Sequence, residues 1–168
     1  MTGMDGTILG EDAVTELSIK DIEALTEALE DEYHAWATYD QVIQDFGEVR
    51  PFINIREAEA RHIGALQKLF ARHGIPVPGN HWPGKVTRYD SIEEACRGSV
   101  KAEIANRDMY DRLMASTSRS DIRAVFSNLQ AASQHRHLPA FRRCAHGAAR
   151  ERDDHGQRRR RRHGRGRK

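Results

Sequence analysis

Apolar residues recur at spacings of three and four along four long stretches of this chain, and this period predicts four amphipathic helices. Little of the chain shows the strict alternation that is typical of strands. The fold class predicted from this pattern is all-α, an antiparallel four-helix bundle. The helices are expected over residues 19–46, 51–73 and 92–115, and from about 121 towards 147.

Residues that favour helix ends mark these boundaries. Ser18 with Asp21, and Ser91 with Glu94, have the spacing of capping boxes ahead of the first and third helices. Pro51 suits the first turn of the second helix.

The segment 74–90 contains three prolines and three glycines, so we expect a long connection that crosses the bundle or caps its end. Pro139 falls inside the fourth predicted helix, where we expect it to produce a kink.

Each predicted helix has one inward-facing stripe, and an ionisable residue stands near the middle of each stripe. The stripe of the first helix is Ile22, Leu25, Leu29, Glu32, Trp36, Tyr39, Ile43 and Phe46. The ionisable residues are Glu32 in the first helix, Glu59 and His62 in the second, Glu103 in the third and His137 in the fourth.

Taken singly, each of these residues could be a surface residue slightly out of phase or a core residue with a hydrogen-bond partner. Four helices that each direct a carboxylate or an imidazole inward make coincidence a poor explanation, because an unpaired buried charge is costly. The three glutamates cannot neutralise one another, and no Lys or Arg lies on the stripes. We therefore expect a metal cation as their partner.

The two halves of the chain look duplicated. Tyr39 and Tyr110 each follow a stripe glutamate by seven residues, and we expect them to pack in the core or to donate hydrogen bonds to those carboxylates. The repeated elements are Glu32, Tyr39 and Glu59-x-x-His62 in the first half, and Glu103, Tyr110 and Gln134-x-x-His137 in the second.

These residues resemble the ferritin-like di-iron superfamily, whose pattern is one Glu from each of two helices and Glu-x-x-His from each of the other two. The stretch EDEYHAWATYD is similar to the first ligand helix of rubrerythrins. A bacterial and archaeal group of ferritin-like proteins without an established reaction is more similar, and the resemblance covers about residues 20–146. The stretches that carry it are FGEVRPFINIREAEARHIGAL, EIANRDMYDRL and NLQAASQHRHLPAF.

The resemblance implies a ferritin-like bundle whose candidate metal ligands are Glu32, Glu59, His62, Glu103 and His137. Gln134 holds the place of a fourth-helix glutamate, and His135 is turned away from His137. Three carboxylates balance two divalent ions incompletely, so a second metal is expected to bind weakly. Carboxylate and imidazole ligands suit iron first, with manganese or zinc as alternatives.

Composition excludes several other classes of protein. The chain of 168 residues is 38% hydrophobic and 31% charged, with no apolar run of the length that a membrane span needs. The first residues show no targeting signal, so we expect a cytoplasmic protein. Cys96 and Cys144 lack metal-ligand spacing and are interpreted as small buried apolar residues rather than a disulfide.

Residues 148–168 carry ten Lys or Arg against three acids, a net charge of +7. The totals of 27 basic and 25 acidic residues leave 17 and 22 in residues 1–147, a net charge of −5. We expect one bundle domain over 1–147 and a disordered Arg-rich tail over 148–168. The tail is either a solvated extension or an arm that binds nucleic acid through its phosphates.

Three functions remain open from the sequence. The first is an iron site that reacts with oxygen or peroxide, as in a ferroxidase. The second is a non-catalytic bundle whose site holds one stabilising ion, or only protons and water. The third is a nucleic-acid-associated stress protein that sequesters iron. Ferritin-like chains often pair through their helices, so a homodimer is also an option by analogy.

Overall fold

All regular structure in the described part of the chain is helical. The computed structural model describes residues 16–147 and places no strand among them. The all-α prediction of four helices is confirmed, with boundaries within one or two residues of those expected. The helices are α1 (Ile19–Phe46), α2 (Phe52–Arg72), α3 (Ile92–Ser116) and α4 (Ser120–Ala132), followed by a π-helical turn (Ser133–His137) and by further α-helix over 138–147.

The connection between α2 and α3 crosses the length of the bundle. Hydrogen bonds join Tyr39 of α1 to Glu103 of α3, and Asp21 of α1 to Thr117 beyond the end of α3, so these two helices are antiparallel. The short turn after α1 makes α2 antiparallel to α1 as well, so the chain must return before α3 begins. It does so alongside α1, with Trp82 donating to Glu30 and Arg88 to Asp45.

Local hydrogen bonds fix the helix ends. Ser18 and Asp21 form the predicted capping box of α1, with reciprocal bonds between side chain and backbone. Ser91 caps α3 through the amide of Glu94, but the carboxylate of Glu94 accepts from the amide of Asp90, so only half of the predicted box forms there. At the end of α2, Gly74 has a φ of +65° and closes a Schellman motif.

Two apolar clusters fill the interior, and the ionisable residues lie between them. Along α2, the buried residues Phe52 and Ile55 belong to one cluster, while Leu66 and Phe70 belong to the other. In the predicted stripe of α1, Leu25, Leu29, Glu32 and Tyr39 are buried, but Ile22 is 37% exposed, and its assignment to the core stripe was wrong. Asp21, the residue before it, is buried instead.

The cysteines correct a second sequence interpretation, because Cys96 and Cys144 form a disulfide with a Cα–Cα distance of 5.9 Å. Cys96 lies in the second turn of α3 and Cys144 near the far end of the fourth helix, and the packing of the bundle brings these two positions together. Disulfides persist mainly in oxidising compartments. The pair therefore does not favour the predicted cytoplasmic location, which stays a prediction.

The fourth helix continues through Pro139 by way of the π-helical turn. Proline has no amide hydrogen, and its ring crowds the carbonyl of the residue four positions earlier. The wider π-helical turn directly ahead of Pro139 accommodates the missing hydrogen bond and the proline ring. In this turn the amide of Leu138 bonds to the carbonyl of Ser133, five residues back. The predicted irregularity is therefore present, but it is centred on residues 133–137.

The predictions for the tail over 148–168 lie outside the described residues. The helices of residues 16–147 include none with the length and apolarity needed to cross a membrane.

Candidate metal centre

All five candidate ligands are buried and meet in the middle of the bundle. The exposed fraction of each residue is 8% or less. Their donor atoms form two groups of three, and within each group the atoms lie within 4.8 Å of one another. We call these residues the carboxylate–histidine cluster: Glu32, Glu59, His62, Glu103 and His137.

Glu59 belongs to both groups and stands between two imidazoles. Its Oε2 atom lies 2.8 Å from His62 Nδ1, and its Oε1 atom lies 3.1 Å from His137 Nδ1. His62 Nδ1 is also 3.1 Å from Glu32 Oε2, and His137 Nδ1 is 3.6 Å from Glu103 Oε1. Each histidine therefore directs the same nitrogen at two carboxylates.

The two tyrosines of the sequence repeat donate hydrogen bonds across the bundle, which is one of the two roles expected for them. Tyr39 of α1 donates to Glu103 Oε1 of α3 at 2.9 Å. Tyr110 of α3 donates to Glu32 Oε1 of α1 at 2.5 Å. Each half of the repeat thus orients the carboxylate of the other half, which gives the cluster an approximate two-fold arrangement.

The fourth helix departs from this symmetry. Gln134 was expected at the place of a fourth carboxylate, but its amide donates to the backbone carbonyl of Glu103 at 3.0 Å. Ser133 enters the cluster instead and donates from its hydroxyl to Glu103 Oε2. Ser133 is the first residue of the π-helical turn and lies four positions before His137, so the two side chains share a face of the fourth helix. His135 is exposed, as predicted.

Protons neutralise much of the negative charge when no metal is bound. Burial lowers the pKa of both histidines, but the adjoining carboxylates outweigh it and raise the pKa of His62 to about 10 and that of His137 to about 9. Burial, reinforced by the charge of Glu59, raises the pKa of Glu32 to about 7. Burial also acts to raise the pKa of Glu59, but contacts with His137 and His62 leave it below its ordinary value. A metal cation was the expected partner of the glutamates, with protons and water as the alternative, and the protons of the two histidines can supply much of the neutralisation.

The donor atoms also fit a metal cation. Glu59 Oε2 and both ring nitrogens of His137 are buried without a hydrogen-bond partner among residues 16–147, although Glu59 Oε2 lies close to His62 and His137 Nδ1 lies close to Glu59 Oε1. Polar atoms buried in this way normally have partners. Carboxylate oxygens and imidazole nitrogens without thiolates suit iron, manganese or zinc. The buried Glu and His residues could therefore hold a metal ion.

Comparison with known proteins supports the fold only. The structure matches that of the hypothetical protein MJ0754 from Methanococcus jannaschii DSM 2661. The TM-score is 0.73 at 22% sequence identity, and the match covers 83% of this chain and 87% of that one. No family model and no curated protein matches the chain. Membership in the ferritin-like superfamily therefore stays a prediction.

Three polar residues near the cluster were not predicted as functional. The signal for Ser133 was its spacing of four residues from His137, which puts both side chains on one face of a helix. Asp31 and Asn106 are joined by a hydrogen bond of 2.8 Å from the Asn106 amide to Asp31 Oδ2. Burial raises the pKa of Asp31 to about 6. Its position next to Glu32 was the available signal, but the helical period places adjacent residues about 100° apart and so counted against it.

Proposed function

We propose that the protein binds iron at the carboxylate–histidine cluster and promotes the oxidation of Fe(II) by oxygen or peroxide. The observation that carries this proposal is the pair of three-donor groups that share the buried Glu59. When bound there, iron would supply one-electron exchange with oxygen or peroxide. Manganese and zinc suit the same donors, so the choice of iron rests on the resemblance to ferritin-like di-iron proteins.

Each side chain of the cluster has a distinct role in holding the ions. Glu32 and His62 would complete the first group, and Glu103 and His137 the second. The hydroxyls of Tyr110 and Tyr39 would keep one oxygen of each outer glutamate in place. Burial would keep bulk water away and so strengthen the attraction between the carboxylates and a cation.

The second ion is expected to bind more weakly than the first. In the second half of the repeat, Ser133 brings a neutral hydroxyl to Glu103, and the two ions must share the carboxylate of Glu59. A histidine that binds a metal usually donates a hydrogen bond from its other ring nitrogen. His137 Nε2 has no such partner in the described chain.

The test is anaerobic titration of metal-free protein with Fe(II), followed by exposure to air. We expect tight binding of one iron per chain, weaker binding of a second, and oxidation faster than in buffer. Glu59→Ala should lose both the iron binding and the faster oxidation, because it removes the carboxylate that the two groups share. Glu57→Ala is the matched control, since Glu57 is an exposed acid two positions away on the same helix. Binding of less than one iron by the wild type, without any gain in rate, would contradict the proposal.

A second candidate, a bundle without catalytic activity, is favoured by the raised pKa values of His62 and His137. These protons let the cluster persist without any metal. In that case Glu32→Ala should change the melting temperature and have no catalytic phenotype. A large loss of Fe(II) oxidation in Glu32→Ala would exclude it.

Two proposed partners rest on the sequence alone. Nucleic-acid binding by residues 148–168 should be salt-sensitive and should disappear when those residues are deleted. Binding that survives the deletion would exclude the tail as the contact. A homodimer would show in the solution mass measured by light scattering.

A further inference from the structure

A cleft of about 270 Å³ connects the carboxylate–histidine cluster to the surface between α1 and α3. Its rim includes Thr87, Ala102 and Ala105, which are exposed. Asp31 and Asn106 are half-buried in its wall, and Glu59 and His137 are 3% exposed at its floor. Burial thus increases in steps from solvent to the cluster.

Small side chains keep this cleft open. On α3 the wall consists mostly of small residues at helical spacing, so the helix approaches α1 without filling the space. The connection covers one side with Tyr89, whose ring lies so close to Gly98 that a Cβ atom there would fall 2.3 Å from the hydroxyl. The small residues of the α3 wall are Ser99, Ala102 and Ala105.

The charge of the lining selects for cations. Four carboxylates contribute to the wall and floor of the cleft, and its lining includes no Lys or Arg. Protons on His62 and His137 offset two of the four negative charges, so the lining keeps a net negative charge. A narrow cleft whose lining carries a net charge concentrates ions of the opposite sign. Midway down the cleft, Asn106 Oδ1 is a buried acceptor that receives no hydrogen bond from the described residues. The amide of the same residue holds the carboxylate of Asp31.

We propose that divalent cations reach the cluster through this cleft and that Asp31, with the amide oxygen of Asn106, forms a transient binding site on the way. The inference rests on the proposed function, because it assigns a route to the same cluster. The destination is the set of buried donors without hydrogen-bond partners, Glu59 Oε2 and the ring nitrogens of His137. Asp31 is not part of either three-donor group, so its role is in the rate of metal exchange rather than in final affinity.

The experiment measures the rate at which metal-free full-length protein takes up Co(II), followed by its visible absorption in a stopped-flow instrument. Asp31→Asn removes the charge midway, and Ala102→Phe obstructs the rim. We expect each substitution to slow uptake roughly tenfold, with the final amount of bound Co(II) unchanged. The controls are Glu23→Gln, an exposed acid on α1, and Ala115→Phe, an exposed alanine on α3, and neither lines the cleft.

The outcomes separate the two proposals. If the wild type takes up no Co(II), the metal-binding function fails and the route fails with it. If the wild type takes up Co(II) and either Asp31→Asn or Ala102→Phe does so at the rate of its control, only the route is overturned. Slow uptake that reaches the same final amount in both variants supports the route, and that equal amount also shows that the variants fold.

Discussion

Reduction of the Cys96–Cys144 disulfide should destabilise the bundle strongly. The bond links α3 to the helical segment over 138–147 and closes a loop with a sequence separation of 48 residues. A cross-link lowers the entropy of the unfolded chain by an amount that grows with the logarithm of loop length. For a loop of this size the relation gives about 4 kcal/mol at 25 °C.

The expected loss on reduction is therefore about 3 to 4 kcal/mol, since measured disulfides often contribute less than the relation gives. In a domain of this length, 1 kcal/mol shifts the melting temperature by roughly 3 to 5 °C, so the reduced protein should melt about 10 to 20 °C lower. The free energy of unfolding should also fall slightly more steeply with urea concentration, because the reduced unfolded chain exposes more surface.

The assay is urea unfolding followed by circular dichroism, with oxidised and reduced protein compared at the same pH. Thiol titration under denaturing conditions should find no free thiol before reduction and two after it. Cys144→Ala is the control, because it cannot form the disulfide, and its unfolding should not respond to reductant. Coincident unfolding curves for oxidised and reduced wild-type protein would refute the reasoning.

Three further predictions concern the cluster and the first helix. Tyr110→Phe removes a hydrogen bond to a buried carboxylate and should lower the free energy of unfolding by about 1.5 to 3 kcal/mol, measured by urea titration of metal-free protein; an unchanged value would contradict it. Metal binding should release protons, because His62 and His137 have pKa values of about 10 and 9, so the affinity for Mn(II) should rise with pH from 6 to 8, and calorimetry that shows no pH dependence would argue against it. Burial acts to raise the pKa of Asp21, but hydrogen bonds from Thr117 and Ser18 hold it below its ordinary 3.8. Asp21→Asn should therefore lower the free energy of unfolding by about 1 kcal/mol at pH 7. That cost should vanish in urea titrations as the pH falls below 3.8, where the wild-type carboxyl gains its proton, and a cost independent of pH would refute the assignment.

The helices and their inward faces were predictable because the apolar period is long and regular. The same period located Glu32, Glu59 and Glu103, since a charged residue in a buried stripe stands out against apolar neighbours. Ser133 shares a helix face with His137 by its four-residue spacing, but its bond to Glu103 depends on how the third and fourth helices pack. The π-helical turn that begins at Ser133 is indicated in the sequence only through Pro139. The disulfide was missed because two cysteines 48 residues apart become neighbours only through tertiary packing.

Asp31 shows a different reason for a miss. Its Cα position lies beside the stripe of α1 rather than on it, so helical periodicity assigns it to the surface. It reaches the cleft because small residues on α3 leave space there. The width of that gap depends on the side chains of both helices, so it cannot be predicted from the sequence of α1 alone. A sequence pattern read one helix at a time therefore identifies residues at the centre of a bundle better than those lining an approach to it.

The charge of the cluster explains why the same residues could serve either with or without a metal. Three carboxylates with two protonated histidines carry a formal charge of −1, and a further proton on Glu32, whose pKa is about 7, brings the charge to zero. With neutral histidines, one divalent ion leaves −1 and two leave +1. Each of these states is close to neutral, so burial does not force a choice between protons and metal. The outcome depends instead on competition for the same nitrogen and oxygen atoms, in which a metal must displace protons from His62 and His137. A cluster whose only role is structural would keep those protons when metal is added.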